Sequence, residues 1–453
     1  MIGASFPRAH GLAHRRVARA VQVLCCCASL AVTACHGLLD VRDPTIIQDG
    51  DLANAPGANA RRLDVIYVFS GTIGTAAQET ALFSDELTWD IDRIPTYQPY
   101  DLEAYNLDSR DETLLTQYAG TRQIDAHLDG LDQIFSKSSV ALTAMRLYGA
   151  DTVKQEYLAQ LFGLRGYLIV QMAEDVCPGF PINDISSDNL PVYSGPYTTD
   201  AAVAYGIAQL DSALAHGRDS SQFVNLSRVV KGRALLDLGQ WAVADTTVAS
   251  VPDGFTYATD PSAMSTLPFV WSQNGCCAVV GDSEGTNGLP FVSAHDPRVP
   301  VIYERQGQAD TTDSLFGQNK YPTGDAPMVI ASGVEARLIQ AEAALHEPNP
   351  ARMLSILNAL RATVGLGDLS LPPTTAEQVN LLYHERAFWL YLTGRRLGDL
   401  RRLIKQYGRD AETVFPTGHH ILSASYGRAT AIPFTLAVQG VFNGHITAEC
   451  AAP

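Results

Sequence analysis

Beyond Cys35 the sequence lacks any apolar run of 18 or more residues. A helix needs about that length to cross roughly 30 Å of hydrocarbon, so the mature chain is expected to contain no transmembrane helix. Positive charge is also scarce, since 32 Lys and Arg stand against 48 Asp and Glu. Because negative charge repels phosphate backbones, nucleic acid is a poor candidate partner.

Enzyme signatures are missing as well. The sequence contains no G-x-S-x-G elbow, no H-E-x-x-H, no Walker loop and no G-x-G-x-x-G after a strand. The sequence therefore predicts no catalytic residues and no cofactor. A pair of acids for glycoside hydrolysis has no sequence signature, because their separation exists only in three dimensions. A polysaccharide-degrading enzyme accordingly stays as a lesser alternative.

The first residues have the pattern of a signal peptide. Arginines precede an uncharged apolar stretch over residues 21–32, and small residues follow it. The segment Val32-Thr33-Ala34-Cys35 is similar to a bacterial lipobox, in which the cysteine is acylated. We therefore expect residues 1–34 to be cleaved and Cys35 to anchor the chain in a membrane. The alternative is an ordinary signal peptide with a chance cysteine, since residues 25–27 are cysteines too.

Four cysteines follow Cys35, namely Cys177, Cys276, Cys277 and Cys450. Their even number in an exported chain predicts two disulfides. A bond between the neighbours would close a strained ring, so Cys276 and Cys277 are each expected to pair with Cys177 or Cys450. A metal site is the alternative, but no C-x-x-C or H-x-x-x-H accompanies these cysteines, and no metal is predicted.

Hydrophobic periodicity predicts helices on both sides of an irregular middle. Apolar residues recur at helical spacing in four stripes: Tyr157, Leu161, Leu164 and Leu168, over residues 151–174; Val203, Ile207, Leu210 and Leu214, after the cap candidates Thr198, Thr199 and Asp200; Val334, Leu338, Ala341 and Leu345; and Met353, Leu357, Leu360 and Val364. Breakers Pro348 and Pro350 separate the last two stripes, which favours antiparallel helix hairpins.

The segment from Leu238 to Ala244 resembles the turn of a tetratricopeptide hairpin. Gly239 would allow a tight turn, Trp241 would fill the wedge between the helices, and Ala244 would allow close approach. Residues 251–331 are rich in turn formers and predict loop with short strands. The fold class is therefore mainly α: tetratricopeptide-like hairpins in a curved scaffold, with a loop-rich lobe packed on it. Residues 35–453 would form one domain, with helices over 36–250, the lobe over 251–331, and helices and a tail over 332–453.

A run of charged residues near the C-terminus resembles a motif of the SusD/RagB-like nutrient-uptake lipoproteins. The run contains Glu385, Arg386, Gly394, Arg396, Asp399, Leu400 and Arg402. Two acids of the family pattern are missing, since Trp389 or Leu390 and Thr393 stand in their places. Four other segments fit the family in the same order along the chain: Asp296-Pro297-Arg298, the stretch from Glu335 to Glu342 with Ala341-Glu342-Ala343, Leu357-Asn358 with Arg361, and Ile432-Pro433.

This resemblance implies an outer-membrane lipoprotein at the cell surface. Such a protein binds a nutrient, a glycan or a peptide-like oligomer, and delivers it to a TonB-dependent, SusC-like transporter. A different class of function also fits helix hairpins on a lipid anchor: a tetratricopeptide lipoprotein that scaffolds protein assembly in the envelope.

The charged run itself predicts structure rather than chemistry. Glu385, Arg386, Arg396, Asp399 and Arg402 are expected to form one ionic cluster, in which the charges pair with those of the following helix. A catalytic site of carboxylate and arginine is the alternative, although no second unpaired acid lies nearby in the sequence.

The resemblance implies a ligand site, and two aromatic segments are predicted to supply it, because sugar rings stack on aromatic faces while amides and acids bind their hydroxyls. The predicted ligand-binding residues are Trp89, Tyr97 and Tyr100 in the first segment, and Trp271 and Asn274 in the second. The alternative for each tryptophan is a loop aromatic folded into the core. Trp241 and Trp389 lie on predicted helices and are expected in the core.

Overall fold

The computed structural model describes most of the chain after residue 48. The described ranges are 49–90, 105–111, 115, 122–186, 190–260, 278–307, 314–420 and 425–433. The chain separates into two compact units, Met1–Leu52 and Ala53–Pro453. The first contains the described 3-10 turn Asp49–Leu52, and the second contains the helices and strands that follow.

Long helices dominate the second unit, so the prediction of a mainly α fold is confirmed. The helices are α1 Ala55–Phe83, α2 Arg122–Tyr148, α3 Lys154–Asp175, α4 Thr199–His216, α5 Gln222–Asp237, α6 Trp241–Val248, α7 Gly333–His346, α8 Pro350–Ala362, α9 Thr375–Trp389 and α10 Arg396–Tyr407. The strands are β1 Leu87–Trp89, β2 Phe180–Ile185, β3 Pro191–Tyr197, β4 Thr256–Ala258, β5 Ala278–Val280, β6 Val301–Gln306, β7 Ser314–Gln318 and β8 Val329–Ser332.

The strands form four small antiparallel pairs rather than one sheet. The pairs are β1 with β5, β2 with β3, β4 with β8, and β6 with β7. Five of these strands, β4 to β8, fall in or at the edge of residues 251–331. Over the described residues of that stretch, the interpretation as loop with short strands therefore agrees with the structure.

Helix ends follow the cap chemistry of the sequence. Thr198 caps α4, because its side chain accepts a hydrogen bond of 3.2 Å from the amide of Ala201. Thr374 and Glu377 form a reciprocal capping box at the start of α9. One predicted stripe runs too far: α8 ends at Ala362, and Val364 lies beyond it with 39% of its surface exposed.

Neighbouring helices pack as hairpins. Helix α3 packs closely along α4, and glycines make this approach feasible. A Cβ atom at Gly166 would lie 2.5 Å from the Cγ atom of Leu210, and one at Gly206 would lie 2.8 Å from Val170. Such distances are far inside van der Waals contact, so larger residues at these two positions would push the helices apart.

The turn between α5 and α6 lies where the sequence predicted it, but Trp241, expected to fill the wedge between these two helices, stacks on α7 instead. Gly239 has a φ of +69°, which an L-residue with a Cβ rarely adopts. Ala244 is fully buried where α6 meets its neighbours. Trp241 is half-buried and stacks on His346 with ring centroids 3.8 Å apart, so it joins α6 to α7. Among the described residues, no helix combines the length and the apolar character needed to cross a bilayer.

Candidate functional site

A cavity of about 430 Å³ opens among helices α1, α3 and α5 and strand β4. Its volume falls in the range of small-ligand sites, roughly 300–1,000 Å³. We call it the α1–β4 cavity. Its lining residues are Arg62, Leu63, Ile66, Phe69 and Ser70 of α1, Tyr157 and Gln160 of α3, Gln222 and Phe223 of α5, and Thr256, Tyr257, Ala258, Thr259 and Asp260 of β4 and the loop after it.

A buried chain of hydrogen bonds runs along the cavity wall. Arg62 donates from Nη1 to Oε1 of Gln160, and Gln160 donates from Nε2 to the hydroxyl of Tyr257 over 2.9 Å. All three side chains are more than nine-tenths buried. The Gln160 amide is therefore fixed at both ends, and the Tyr257 hydroxyl keeps its own hydrogen for another acceptor.

Aromatic rings lie beside this hydrogen-bond chain. The guanidinium of Arg62 stands 3.9 Å from the ring centroid of Tyr157. Phe223 and Tyr257 meet edge to face at 6.2 Å. Leu63, also in the cavity wall, is 46% exposed and lies at the surface. Phe223 and Tyr257 are each only 9% exposed, so the apolar partners open to a ligand are the half-buried ring of Tyr157 and the exposed side chain of Leu63.

Burial shifts the pKa values of the polar residues in the cavity wall. It lowers the pKa of Arg62, against the opposing effect of Tyr157 and Tyr257. Burial also raises the pKa of Tyr257, against the hydrogen bond from Gln160 and the charge of Arg62, while the charge of Asp260 adds to the rise. Tyr257 is therefore a neutral hydroxyl near pH 7. Asp260 is the single acid in the described lining, whereas glycoside hydrolysis commonly uses two carboxyl groups.

The structure places Trp89 in the core, which corrects its interpretation as a stacking platform. Its ring is 5% exposed and meets Tyr105 edge to face at 5.6 Å. The backbone amide of Trp89 donates to Oδ2 of Asp108 over 3.0 Å. A ring enclosed in this way has no open face for a sugar.

The other predicted ligand-binding residues lie outside the described residues and stay predictions: Tyr97, Tyr100, Trp271 and Asn274. The segment with Trp271 and Asn274, residues 261–277, follows Asp260 directly in the chain. The two helical tryptophans, Trp241 and Trp389, are half-buried and pack against the core.

Sequence reasoning missed Arg62, Gln160 and Tyr257 as candidate site residues. One signal was available for the first of them. Arg62 stands at helical spacing with Ile66 and Phe69, so it is a basic residue within an apolar stripe. The other two are recognisable only once α3 and β4 are placed side by side.

The residues predicted to form one ionic cluster divide into three groups. Arg386 donates two hydrogen bonds of 2.7 Å to Asp399, and Arg402 donates another of 2.7 Å. Glu385 instead contacts arginines outside the predicted run, over 2.6 Å from Arg298 and 2.7 Å from Arg361.

Arg396 and Asp85, which follows α1, form the third group through two hydrogen bonds of 2.7 and 2.8 Å. Glu342 of α7, outside the predicted set, joins Arg402 over 2.9 Å. Burial would raise the pKa of Glu342, but Arg402 and Arg386 outweigh it and hold that pKa below its usual range. The carboxylate of Glu342 is therefore ionised, and the two arginines compensate its charge, as in a structural ion pair.

Cys177 is disulfide-bonded and fully buried after α3, where its amide donates to the carbonyl of Ile432 over 3.0 Å. Every other cysteine lies outside the described residues, including Cys35, Cys276, Cys277 and Cys450. The partner of Cys177 is therefore among them, and the predicted pairing stays a prediction. In the described part of the chain, no group of three or more His, Cys, Asp or Glu could hold a metal ion.

Solved structures share this architecture. A SusD-like carbohydrate-binding protein from Bacteroides vulgatus superposes with a TM-score of 0.58 over 77% of this chain and 83% of its own, at 13% identity. A SusD-like protein from Bacteroides fragilis gives a TM-score of 0.55 over 79% and 87%, at 13% identity. A laminarin-binding SusD-like protein gives 0.55 over 80% and 96%, at 14% identity.

No family model and no curated protein matches the sequence. The structural agreement nevertheless shows that the chain has the SusD-like fold. The resemblance seen in its motifs is therefore confirmed at the level of the fold.

Proposed function

We propose that this chain, which has the SusD-like fold, binds an oligosaccharide in the α1–β4 cavity and catalyses no reaction. The observation that carries the proposal is the buried chain Arg62, Gln160 and Tyr257 in the wall of a cavity that also contains aromatic rings. Two proteins of the same fold are described as carbohydrate-binding and laminarin-binding, which supports the same ligand class here.

The wall suits a sugar for a physical reason. Its polar groups are held in place before a ligand arrives, so little side-chain entropy is lost on binding. Gln160 is fixed between Arg62 and Tyr257, and the Tyr257 hydroxyl can donate to a ring oxygen. The apolar side chains beside them can cover the C–H face of a pyranose.

Isothermal titration calorimetry with a panel of oligosaccharides tests this proposal. Tyr157→Ala should weaken binding of the best ligand by about 1–3 kcal/mol, the usual cost of removing an aromatic anchor. Tyr303→Ala is the matched control, because Tyr303 lies on β6, outside the cavity lining, and is 55% exposed. Loss of binding in the Tyr303 variant alone would move the site to the β6–β7 pair and reject the cavity.

The proposal extends to location and partner. We place the chain in the outer membrane at the cell surface, anchored by lipid on Cys35, where it delivers its ligand to a TonB-dependent transporter. The signal peptide with Val32-Thr33-Ala34-Cys35 and the SusD-like fold support this placement. Multiple acyl chains would give stable anchoring.

Cys35→Ser tests the anchor. The variant should lose incorporation of radiolabelled palmitate and leave the membrane fraction. A variant that stays acylated in the membrane would contradict the assignment of Cys35. Affinity purification from detergent extracts of native cells tests the partner: a TonB-dependent transporter should copurify with the wild-type chain, and its absence would reject the delivery step.

A further inference from the structure

Arg62 differs from four other buried arginines of this fold in what surrounds it. Arg386, Arg396 and Arg402 each bind a carboxylate. Arg401 binds main-chain carbonyls at the C-terminal end of α3, where the helix dipole is negative. Each of these arginines therefore has its positive charge compensated.

The hydrogen-bond partners of Arg62 are neutral. Its Nε donates to Oδ1 of Asn59 over 3.0 Å, and its Nη1 donates to Gln160. The ring of Tyr157 lies against the guanidinium. Only 8% of the Arg62 surface is exposed, so water screens this charge poorly. Charges buried to this degree are normally paired with an opposite charge.

The donors that Arg62 has left over point to the missing partner. Nη2 makes no hydrogen bond with any residue that the structure describes, and Nη1 has used one of its two hydrogens. The edge with Nη1 and Nη2 has the spacing that binds both oxygens of a carboxylate. Arg62 lines the α1–β4 cavity, so a ligand can supply that group.

Asp260 is an acid of the same cavity, but its charge acts on a different residue. It raises the pKa of Tyr257, and it is not among the groups that shift the pKa of Arg62. Asp260 therefore does not neutralise the guanidinium of Arg62.

We infer that the α1–β4 cavity selects an acidic saccharide whose uronic-acid carboxylate pairs with Arg62. This inference rests on the proposed oligosaccharide binding and names the class of sugar. The carboxylate would compensate the buried charge, while the Tyr257 hydroxyl binds an oxygen of the same or the next ring.

Calorimetry with matched ligands tests the inference on the wild-type chain. An oligogalacturonide and its methyl ester have the same sugar chain, but each esterified carboxyl group lacks the negative charge and carries one extra methyl group. The acid should bind about 10- to 100-fold more tightly, as charge-assisted hydrogen bonds allow. Equal affinities would overturn the acidic specificity and leave oligosaccharide binding intact. If neither these ligands nor neutral oligosaccharides bind, the proposed function itself is rejected.

Two variants assign the specificity to Arg62. Arg62→Gln should bind acid and ester with nearly equal affinity, and Arg62→Lys should keep part of the preference, since a lysine carries the charge without the two-pronged geometry. Thermal unfolding of each variant checks its folding. Retention of the full preference by Arg62→Gln would overturn the assignment, and tighter binding of a sulfated than of a carboxylated oligosaccharide would reject the carboxylate as the recognised group.

Discussion

Arg298 and Glu385, 87 residues apart in sequence, form a buried ion pair with an Nη1 to Oε2 distance of 2.6 Å. Arg361 donates to the other carboxylate oxygen of Glu385 over 2.7 Å. Each of the three residues belongs to a different segment that resembled the SusD/RagB-like pattern. One carboxylate therefore ties the loop before β6 to α8 and α9, which explains why these segments occur together.

Removal of that carboxylate should destabilise the fold. Glu385 is 1% exposed, so Glu385→Ala leaves Arg298 and Arg361 without their common acid in a poorly solvated place. The free energy of unfolding should fall by about 3–5 kcal/mol. Urea denaturation followed by circular dichroism measures it.

The matched control for Glu385 is Asp219→Ala. Asp219 pairs with Arg228 at 2.9 Å, but its side chain is fully exposed. Exposed pairs contribute roughly 0–1 kcal/mol, so this variant should unfold nearly like the wild type. Similar losses in the two variants would show that burial does not set the strength of these pairs.

Local features of the fold could be read from the sequence. The stripe with Leu161 and Leu164 identified α3, and Thr198 marked the start of α4. Gly239 identified the turn between α5 and α6. Each depends on residues a few positions apart, where periodicity and cap chemistry act.

Contacts between residues far apart in sequence could not be predicted in this way. Glu385 was expected to pair within its own motif, but it contacts Arg298 and Arg361. The α1–β4 cavity was missed because its wall combines three helices and a strand. Trp89 was predicted to bind a ligand because its short strand lies next to prolines and has the composition of a loop. Composition does not reveal whether a side chain is buried.

Trp89→Ala should affect stability rather than ligand binding. The ring is 5% exposed and packs on Tyr105, so its removal leaves a large cavity in the core. Such substitutions cost about 3–5 kcal/mol. Urea denaturation should show this loss, and calorimetry under folding conditions should show unchanged affinity for the best oligosaccharide. Weaker binding with unchanged stability would return Trp89 to the ligand site.

Glu86 should make the fold less stable as pH rises. Burial raises its pKa to about 8, with Asp85 adding to the rise, while the amide of Leu392 and the charge of Arg396 oppose it. In the unfolded chain the pKa is about 4.3. The folded form therefore binds the proton more tightly, and this stabilisation is complete below about pH 4 and lost as pH rises towards 8.

Glu86→Gln removes this titration and keeps an oxygen for the amide of Leu392, which donates to Glu86 over 2.9 Å. The free energy of unfolding of the wild type should fall relative to that of the variant between pH 5 and 8, by at most about 1.4 kcal/mol per pH unit. Urea denaturation at several pH values measures the difference. Glu412 is exposed, so the free energy of unfolding of Glu412→Gln should depend on pH as that of the wild type does. If Glu86→Gln also kept the pH dependence of the wild type, the raised pKa of Glu86 would be contradicted.

Gly239→Ala tests whether the hairpin turn requires its left-handed backbone. A Cβ at Gly239 would lie 3.5 Å from Trp241, an ordinary contact, so the cost comes from the φ of +69° alone. An L-residue in this region costs about 1–2 kcal/mol.

Gly254→Ala is the control, because Gly254 has no neighbour within 4 Å of its Cβ position and no left-handed φ. That substitution should leave stability unchanged or raise it by about 0.4–1 kcal/mol. Thermal unfolding of both variants should therefore give shifts of opposite sign or clearly different size, and equal shifts would mean that α5 and α6 can turn without a left-handed residue.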